Sequence, residues 1–128
     1  MSKRITTDGA PKAIGPYSQG IDTGDLLFIS GQPGIDPSTG AVADGIESQT
    51  EQALRNVGAI LQAAGLGWGN VVKTTLWLTD AMHFAKVNEI YARHVVDPAP
   101  ARSAPIVAAL PRGLLISIEA IAKRPPRP

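Results

Sequence analysis

The chain has 128 residues, enough for one domain with a modest hydrophobic core, and 44% of them are apolar. Twelve Lys and Arg against eleven Asp and Glu give a net charge of +1, so no broad positive field favours nucleic acid, and the lack of cysteine excludes disulfides and thiolate chemistry. No apolar run approaches the roughly 20 residues that span a bilayer, and the N-terminus lacks a signal-peptide core. We therefore expect one domain over residues 1–128, a cytoplasmic location, no membrane and no nucleic-acid partner.

The first third of the chain predicts three short strands separated by turns. Ile5 suits a short edge strand, and residues 17–21 and 26–30 flank a turn at 22–25, which indicates a hairpin. The second strand of that hairpin is apolar on both faces and ends at Ser30-Gly31, where a glycine allows another group to approach the backbone closely.

The remainder of the chain predicts two helices, each followed by strands. The first helix is expected to begin at Ser48, with Glu51 completing a capping box, and to stop at Gly65. A strand covers residues 71–78, and the second helix is expected from about 80 to 96. Its inward face is marked by Phe84, Val87, Tyr91 and Val95.

Asn88 falls on this inward face, among apolar neighbours. A polar amide in such surroundings must be hydrogen-bonded. The helical pattern leaves two interpretations open, a structural amide with its bonds satisfied inside the fold and an amide that helps to build a binding site.

The order of elements, three strands, helix, strand, helix and two strands, predicts an α+β fold in which both helices pack on one face of a sheet. The other face would then be uncovered while still carrying apolar side chains. Because such a face usually finds a partner chain, we expect a homo-oligomer. The tail from 124 to 128, with its three prolines, is expected to be frayed and solvated.

Residues 97–122 contain the strongest candidate for a binding site. Arg102 follows a Pro-Ala-Pro-Ala segment, which delivers the chain extended, and it stands at the start of an apolar strand. An arginine in this place needs a partner for its charge. If no protein carboxylate supplies one, the partner is expected to be an anionic ligand, because a guanidinium binds a carboxylate through two parallel hydrogen bonds.

Ser117 and Glu119 share one face of the last predicted strand, residues 114–122, because side chains alternate between the two faces. Periodicity alone leaves three roles open for the glutamate. It could pair with Arg102, contact another subunit or act as a general base.

The sequence predicts no metal site. His83 and His94 lie eleven residues apart on the second predicted helix, about three turns, which is too far for both to bind one metal ion. No phosphate-binding loop, dinucleotide fingerprint or Ser-His-Asp order is present either.

Five co-linear segments together resemble the Rid/YjgF family of reactive-intermediate imine deaminases, also described as the endoribonuclease L-PSP family. They are AIGPYSQG (13–20), ISGQPGIDPSTG (29–40), AAGLGWGNVVKTTLWLTD (63–80), FAKVNEIYARHV (84–95) and PARSAPIVAALPRGLLISIEAIA (100–122). The resemblance covers about residues 3–123. It implies a chorismate-mutase-like protomer with a mixed β-sheet and two helices on one face, assembling as a homotrimer with clefts between subunits.

The resemblance also implies an activity. Deaminases of this family hydrolyse 2-imino acids, such as the 2-iminopropanoate formed from 2-aminoacrylate, to a 2-keto acid and ammonia without a metal or organic cofactor. Carried over by position, Arg102 matches the arginine that holds the carboxylate of the small imino or keto acid. Tyr17, Ser30, Gly31 and Asn88 match further positions of the cleft.

Two positions depart from the pattern of these deaminases. Ala104 stands where a cysteine is usual, a position that contributes its backbone N–H, and Ser117 stands where the family has a glutamate that positions the attacking water. Glu119 matches the second glutamate of the family's Glu-x-Glu strand. The resemblance thus implies Arg102, Ser117 and Tyr17 as catalytic residues, and Ala104 and Glu119 join the binding residues.

Two alternatives to catalysis by a deaminase remain at this point. The first is a trimer that binds small carboxylates without turnover, as a sensor or regulator. The second is ribonuclease activity, which the near-neutral charge and the lack of an acid-base pair disfavour.

Overall fold

The computed structural model describes residues 1–126, and it confirms the predicted order of elements. The elements are β1 (Lys3–Ile5), β2 (Gly20–Asp22), β3 (Leu26–Pro33), α1 (Gly45–Ala63), β4 (Val71–Leu78), α2 (Phe84–Tyr91), β5 (Ala101–Ser103) and β6 (Ile116–Lys123). Neither helix is long and apolar enough to cross a lipid bilayer.

All six strands belong to one mixed sheet in the order β1-β2-β3-β6-β4-β5. Neighbouring strands are antiparallel, except that β4 and β5 are parallel. Helix α1 packs on β3 and β6, and α2 packs beside α1. The α+β class, the mixed sheet and the placement of both helices on one face are therefore confirmed.

The hydrophobic core lies between this sheet and the helices. Leu54 and Leu61 of α1 are fully buried, as are Ile116 and Ile118 of β6. The residues between them and beyond, Ser117, Glu119 and Ile121, are only half-buried and lie on the face of the sheet that no helix covers. The predicted alternation in this strand is correct, and it fixes which face each site residue of β6 occupies.

Both predicted helix boundaries need correction. Helix α1 begins at Gly45, one turn before Ser48, so Glu51 lies inside the helix and the predicted capping box is wrong. Glu51 instead pairs with Arg55 at 3.1 Å and with His94 at 3.0 Å. Helix α2 ends at Tyr91 and not near 96, because the chain turns there and brings His94 against α1.

Gly34 lets β3 run directly into contact with α1. A Cβ atom at this position would lie 2.5 Å from the Cα of Gln49, so any other residue would force the backbones apart. At this contact the Gln49 side chain also reaches the segment just before β6, where its Oε1 accepts a hydrogen bond from the N–H of Leu115 at 2.8 Å. The glycine therefore fixes α1 against the end of the sheet that carries Ser117.

The prediction that the tail is frayed is wrong for its first residue, Arg124. Strand β6 continues to Lys123, and the N–H of Arg124 donates to the carbonyl of Asp25. The Arg124 side chain is about three-quarters buried, where it forms an ion pair with Asp22 and donates to the carbonyl of Ala64 at 2.8 Å. The last two residues of the predicted tail, 127 and 128, lie outside the described residues.

The ion pair of Asp22 and Arg124 predicts a loss of stability in acid. The N–H of Gly24 and the Arg124 guanidinium both donate to Asp22 and hold its pKa below the usual 3.8. Because the folded-state pKa is depressed, the stabilisation is present at neutral pH and is lost as the pH falls through 3.8 and below. Asp22→Asn should lower the unfolding free energy at pH 7 by about 1–2 kcal/mol and reduce the difference between pH 7 and pH 3.

Chemical denaturation at the two pH values measures this effect. Asp25→Asn is the matched control, because that residue lies in the same turn and is exposed. It should behave as the wild type does. An Asp22→Asn protein with the full wild-type pH dependence would show that the ion pair contributes nothing.

Candidate functional site

Arg102 lies on β5, the edge strand, with its guanidinium against α2. Its Nη1 donates to Oδ1 of Asn88 at 2.5 Å. No carboxylate in residues 1–126 forms an ion pair with it, and the residue is exposed. A guanidinium has five N–H donors, so most of them remain for a ligand. The predicted role of Arg102 as a free anion binder fits this geometry.

Asn88 therefore has a partner inside the fold. Its amide oxygen accepts from Arg102, which satisfies the requirement of a half-buried polar group and at the same time fixes the arginine. The structural interpretation left open by the helical pattern is thus correct, and because the partner is a candidate site residue, the part of Asn88 in a binding site stays a prediction.

Two aromatic rings of α2 adjoin the same guanidinium. The Cζ atom of Arg102 lies 5.3 Å from the ring centroid of Phe84 and 5.2 Å from that of Tyr91. Both distances are within the range of cation–π attraction. We call Phe84, Asn88, Tyr91 and Arg102 the arginine half-site.

Ser117 lies on the opposite side of the sheet, above Gly31. A Cβ atom at Gly31 would lie 2.6 Å from the Ser117 Oγ, so any side chain at position 31 would take space that the Ser117 side chain uses. Ser30 and Gly31 fall where the pairing of β3 with β6 shifts by one residue, between Ile29 and Gln32. Such bulges redirect side chains at the edges of binding sites. We call Ser30, Gly31 and Ser117 the serine half-site.

Ser30 connects this half-site to the loop that carries Tyr17. The Ser30 hydroxyl donates to the carbonyl of Ser18 at 2.6 Å, and its N–H donates to the carbonyl of Gln19 at 2.9 Å. Tyr17, the next residue towards the N-terminus, is 50% exposed. Its ring borders a cavity of about 520 Å³ that Arg4 and Lys12 also line.

Gln19 holds this loop in shape, a role that the sequence did not predict. Its buried side chain donates to the carbonyls of Thr7, Ala10 and Pro11 and accepts from the N–H of Thr7 at 2.7 Å. One side chain thus satisfies four backbone groups across the loop that precedes Tyr17. No pattern of spacing marks it, because all of its partners come from the folded loop.

Glu119 lies on the uncovered face of the sheet and does not approach Arg102. Its Oε1 accepts from the Trp77 indole at 3.3 Å, and it borders a cavity of about 390 Å³ together with Ser30 and Lys73. Within one chain the first of the three roles left open for Glu119, a salt bridge to Arg102, is therefore excluded. Ala104 differs from the other candidates because its methyl group packs against the core, just beyond Arg102.

The two half-sites are separated within one chain. Strands β6 and β4 lie between β3 and β5, so Gly31 and Arg102 are three strand spacings apart, or about 14 Å. Arg102 also pairs in register with Thr74, which is buried beneath α2, whereas Ser117 occupies the uncovered face. A three-carbon acid held by Arg102 cannot reach Ser117 of the same chain.

Known proteins resemble the chain over nearly its whole length. The family model Endoribonuclease L-PSP matches residues 7–124. The 2-iminobutanoate/2-iminopropanoate deaminase of Salmonella typhimurium is 50% identical, with 97% of this chain and 99% of the relative covered. The mouse deaminase of the same name is 51% identical, with 98% and 94% covered.

Solved structures agree with the fold. The crystal structure of E. coli TdcF with bound serine matches with a TM-score of 0.92 at 43% identity, covering 96% of this chain and 99% of that one. With the family model and the deaminase relatives, this match establishes that the chain belongs to the endoribonuclease L-PSP family, which is the Rid/YjgF family.

Proposed function

We propose that the protein is a 2-imino acid deaminase that hydrolyses reactive imines such as 2-iminopropanoate to 2-keto acids and ammonia. The observation that carries the proposal is Arg102, an exposed guanidinium fixed by Asn88 without any carboxylate partner in residues 1–126. Relatives about 50% identical over nearly the whole chain are named as deaminases of these imines.

The ligand class follows from the charge and shape of Arg102. A planar guanidinium binds a carboxylate through two parallel hydrogen bonds, whereas a neutral amine has neither a negative charge nor a second acceptor atom to match them. The TdcF structure holds serine, whose carboxylate is attached to the carbon that bears nitrogen. A 2-imino acid has the same arrangement, and this supports Arg102 as its carboxylate anchor.

A homotrimer would join the half-sites of neighbouring chains in clefts between subunits. The separation of Gly31 and Arg102 within one chain supports such an assembly, since one chain cannot surround a small acid with both. The uncovered face of the sheet also carries Phe28, which is 43% exposed, beside the half-buried Ile121 and Trp77. Burial of this apolar face against a partner would favour association.

The reaction requires one water molecule and no change of oxidation state. Water attacks the C=N carbon and one of its protons moves to nitrogen, which gives a tetrahedral carbinolamine. The carbinolamine hydroxyl then gives its remaining proton to nitrogen as the C–N bond breaks. Ammonia leaves as the C=O bond forms. A protonated imine is already electrophilic, so correct placement of the acid and the water accounts for most of the required catalysis.

Ser117 and Tyr17 would place the water, and backbone N–H groups near Gly31 and Ala104 would orient the ligand. The Ser117 hydroxyl can hold water by a hydrogen bond but is a poor base at neutral pH, so it does not readily accept the proton. Glu119 is two residues further along β6, about 6–7 Å away, so it would border the ligand and not replace the missing glutamate.

The test measures ammonia and keto-acid release from 2-iminopropanoate generated enzymatically in the assay. The purified protein, eluting with the mass of three chains, should accelerate release above the rate without protein. Equal rates would overturn the deaminase proposal for this substrate. Saturable binding of pyruvate without acceleration would instead identify a carboxylate-binding trimer, and degradation of added RNA would point to the ribonuclease alternative.

A further inference from the structure

We infer that Phe84 and Tyr91 are positioning residues for the reaction, because their rings hold the Arg102 guanidinium ready for the substrate carboxylate. This inference rests on the proposed function and adds two residues to it. The three α2 residues that contact Arg102 are numbers 84, 88 and 91. That spacing places them on one face of the helix, one above the other.

Arg102 needs such support because its own strand gives little. All three residues of β5 are exposed, and within residues 1–126 β5 pairs with β4 alone. A long side chain on an exposed edge strand samples many rotamers, and binding a ligand would then require that freedom to be lost. Two rings at 5.3 and 5.2 Å from Cζ, together with the Asn88 bond, restrict it before the ligand arrives.

Tyr91 is itself fixed from the core side. Its hydroxyl is hydrogen-bonded to the Thr74 hydroxyl at 2.7 Å, and the two residues are 5% and 0% exposed. Thr74 is also the residue of β4 that pairs in register with Arg102. The ring and the arginine are thus both set by the same position of β4, which keeps their relative placement constant.

Loss of either ring should weaken carboxylate binding without slowing the chemical step. The carboxylate is held in both the bound substrate and the transition state, so its anchor contributes mainly uniform binding, which appears in KM. For Phe84→Leu and Tyr91→Leu we expect KM to rise about fivefold, from the strength of a partly exposed cation–π contact. The Kd of pyruvate should rise in parallel, and kcat should stay within about twofold.

The conservative variants separate positioning from folding. Phe84→Tyr retains its ring and should keep KM and the pyruvate Kd near the wild-type values. Tyr91→Phe retains its ring but loses the bond to Thr74, so its KM and Kd should lie between those of the wild type and of Tyr91→Leu. A leucine variant that merely reduced the amount of folded protein would lower kcat in proportion and leave KM unchanged. Thermal melts of each variant measure the fraction of folded protein at the assay temperature.

Each outcome decides the inference. Parallel increases of KM and Kd in the leucine variants, with full recovery in Phe84→Tyr and partial recovery in Tyr91→Phe, support it. Unchanged KM and Kd, or a fall in kcat alone, overturn it. If the wild type binds pyruvate but releases no ammonia, the deaminase proposal fails and the pyruvate Kd values alone test the role of the rings. A wild type that neither binds pyruvate nor turns over imine overturns both.

Discussion

Replacing Arg102 by alanine should lower kcat/KM for 2-iminopropanoate by about 100- to 10,000-fold. The variant loses two charge-assisted hydrogen bonds to the carboxylate, each contributing about 1.5–3 kcal/mol, and tenfold in rate corresponds to about 1.4 kcal/mol. The substrate is small and has no remote group to bind elsewhere. Loss of its anchor therefore removes both affinity and the alignment of the imine carbon with the water.

The assay follows ammonia release with the spontaneous rate subtracted. Arg102 is exposed on an edge strand and contacts only the outer side of the Phe84 and Tyr91 rings, so the variant should stay folded and melt only slightly below the wild type. Arg93→Ala is the matched control, because Arg93 is an exposed arginine near the end of α2 whose partner is the surface residue Glu89. It should leave kcat/KM unchanged. An Arg102→Ala enzyme with wild-type kcat/KM would show that the carboxylate binds elsewhere.

Replacing Ser117 by glutamate should raise the deamination rate by about tenfold or more. A positioned general base contributes about 100- to 10,000-fold in favourable cases, and a serine hydroxyl cannot act as one at neutral pH. The site can accept the longer side chain, since Ser117 is half-buried on the uncovered face and its neighbour Gly31 has no side chain. The increase should appear in kcat, because the carboxylate acts on the attacking water.

Ser117→Gln is the control for this substitution, since glutamine matches the length of glutamate but cannot accept a proton. We expect it to remain at or below the wild-type rate. Equal rates for the wild type, the glutamate variant and the glutamine variant would mean that the water is positioned by another group. A rate that rises equally in both variants would assign the effect to side-chain length and not to charge.

The local elements could be predicted because short-range patterns carry them. The two-residue alternation of β6 identified the faces of Ser117 and Glu119, and the strand from 71 to 78 was predicted with correct ends. Helix ends were less predictable. Ser48 followed by Glu51 has the form of a capping box, but α1 begins earlier at Gly45, and Glu51 is occupied by His94, a residue 43 positions away. Such a partner cannot be read from local sequence.

The C-terminal tail also depends on partners that lie far away in the sequence. Lys123 and Arg124 lead into a proline-rich end, a composition typical of frayed termini. Arg124 is nevertheless held by Asp22, a residue 102 positions earlier, and by the carbonyl at the C-terminal end of α1. Its order depends on the position of β6 beside β3, which composition does not indicate.

By itself the sequence determined the class of the fold, the family and the candidate arginine, because periodicity, turn residues and co-linear segments are local properties of the chain. The tertiary structure alone decided how the candidates are grouped. It placed Arg102 with Phe84, Asn88 and Tyr91, and it placed Ser117 with Gly31 on the other side of the sheet. The reason is that strand order and facing are set by non-local packing, which brings distant residues together and keeps near ones apart.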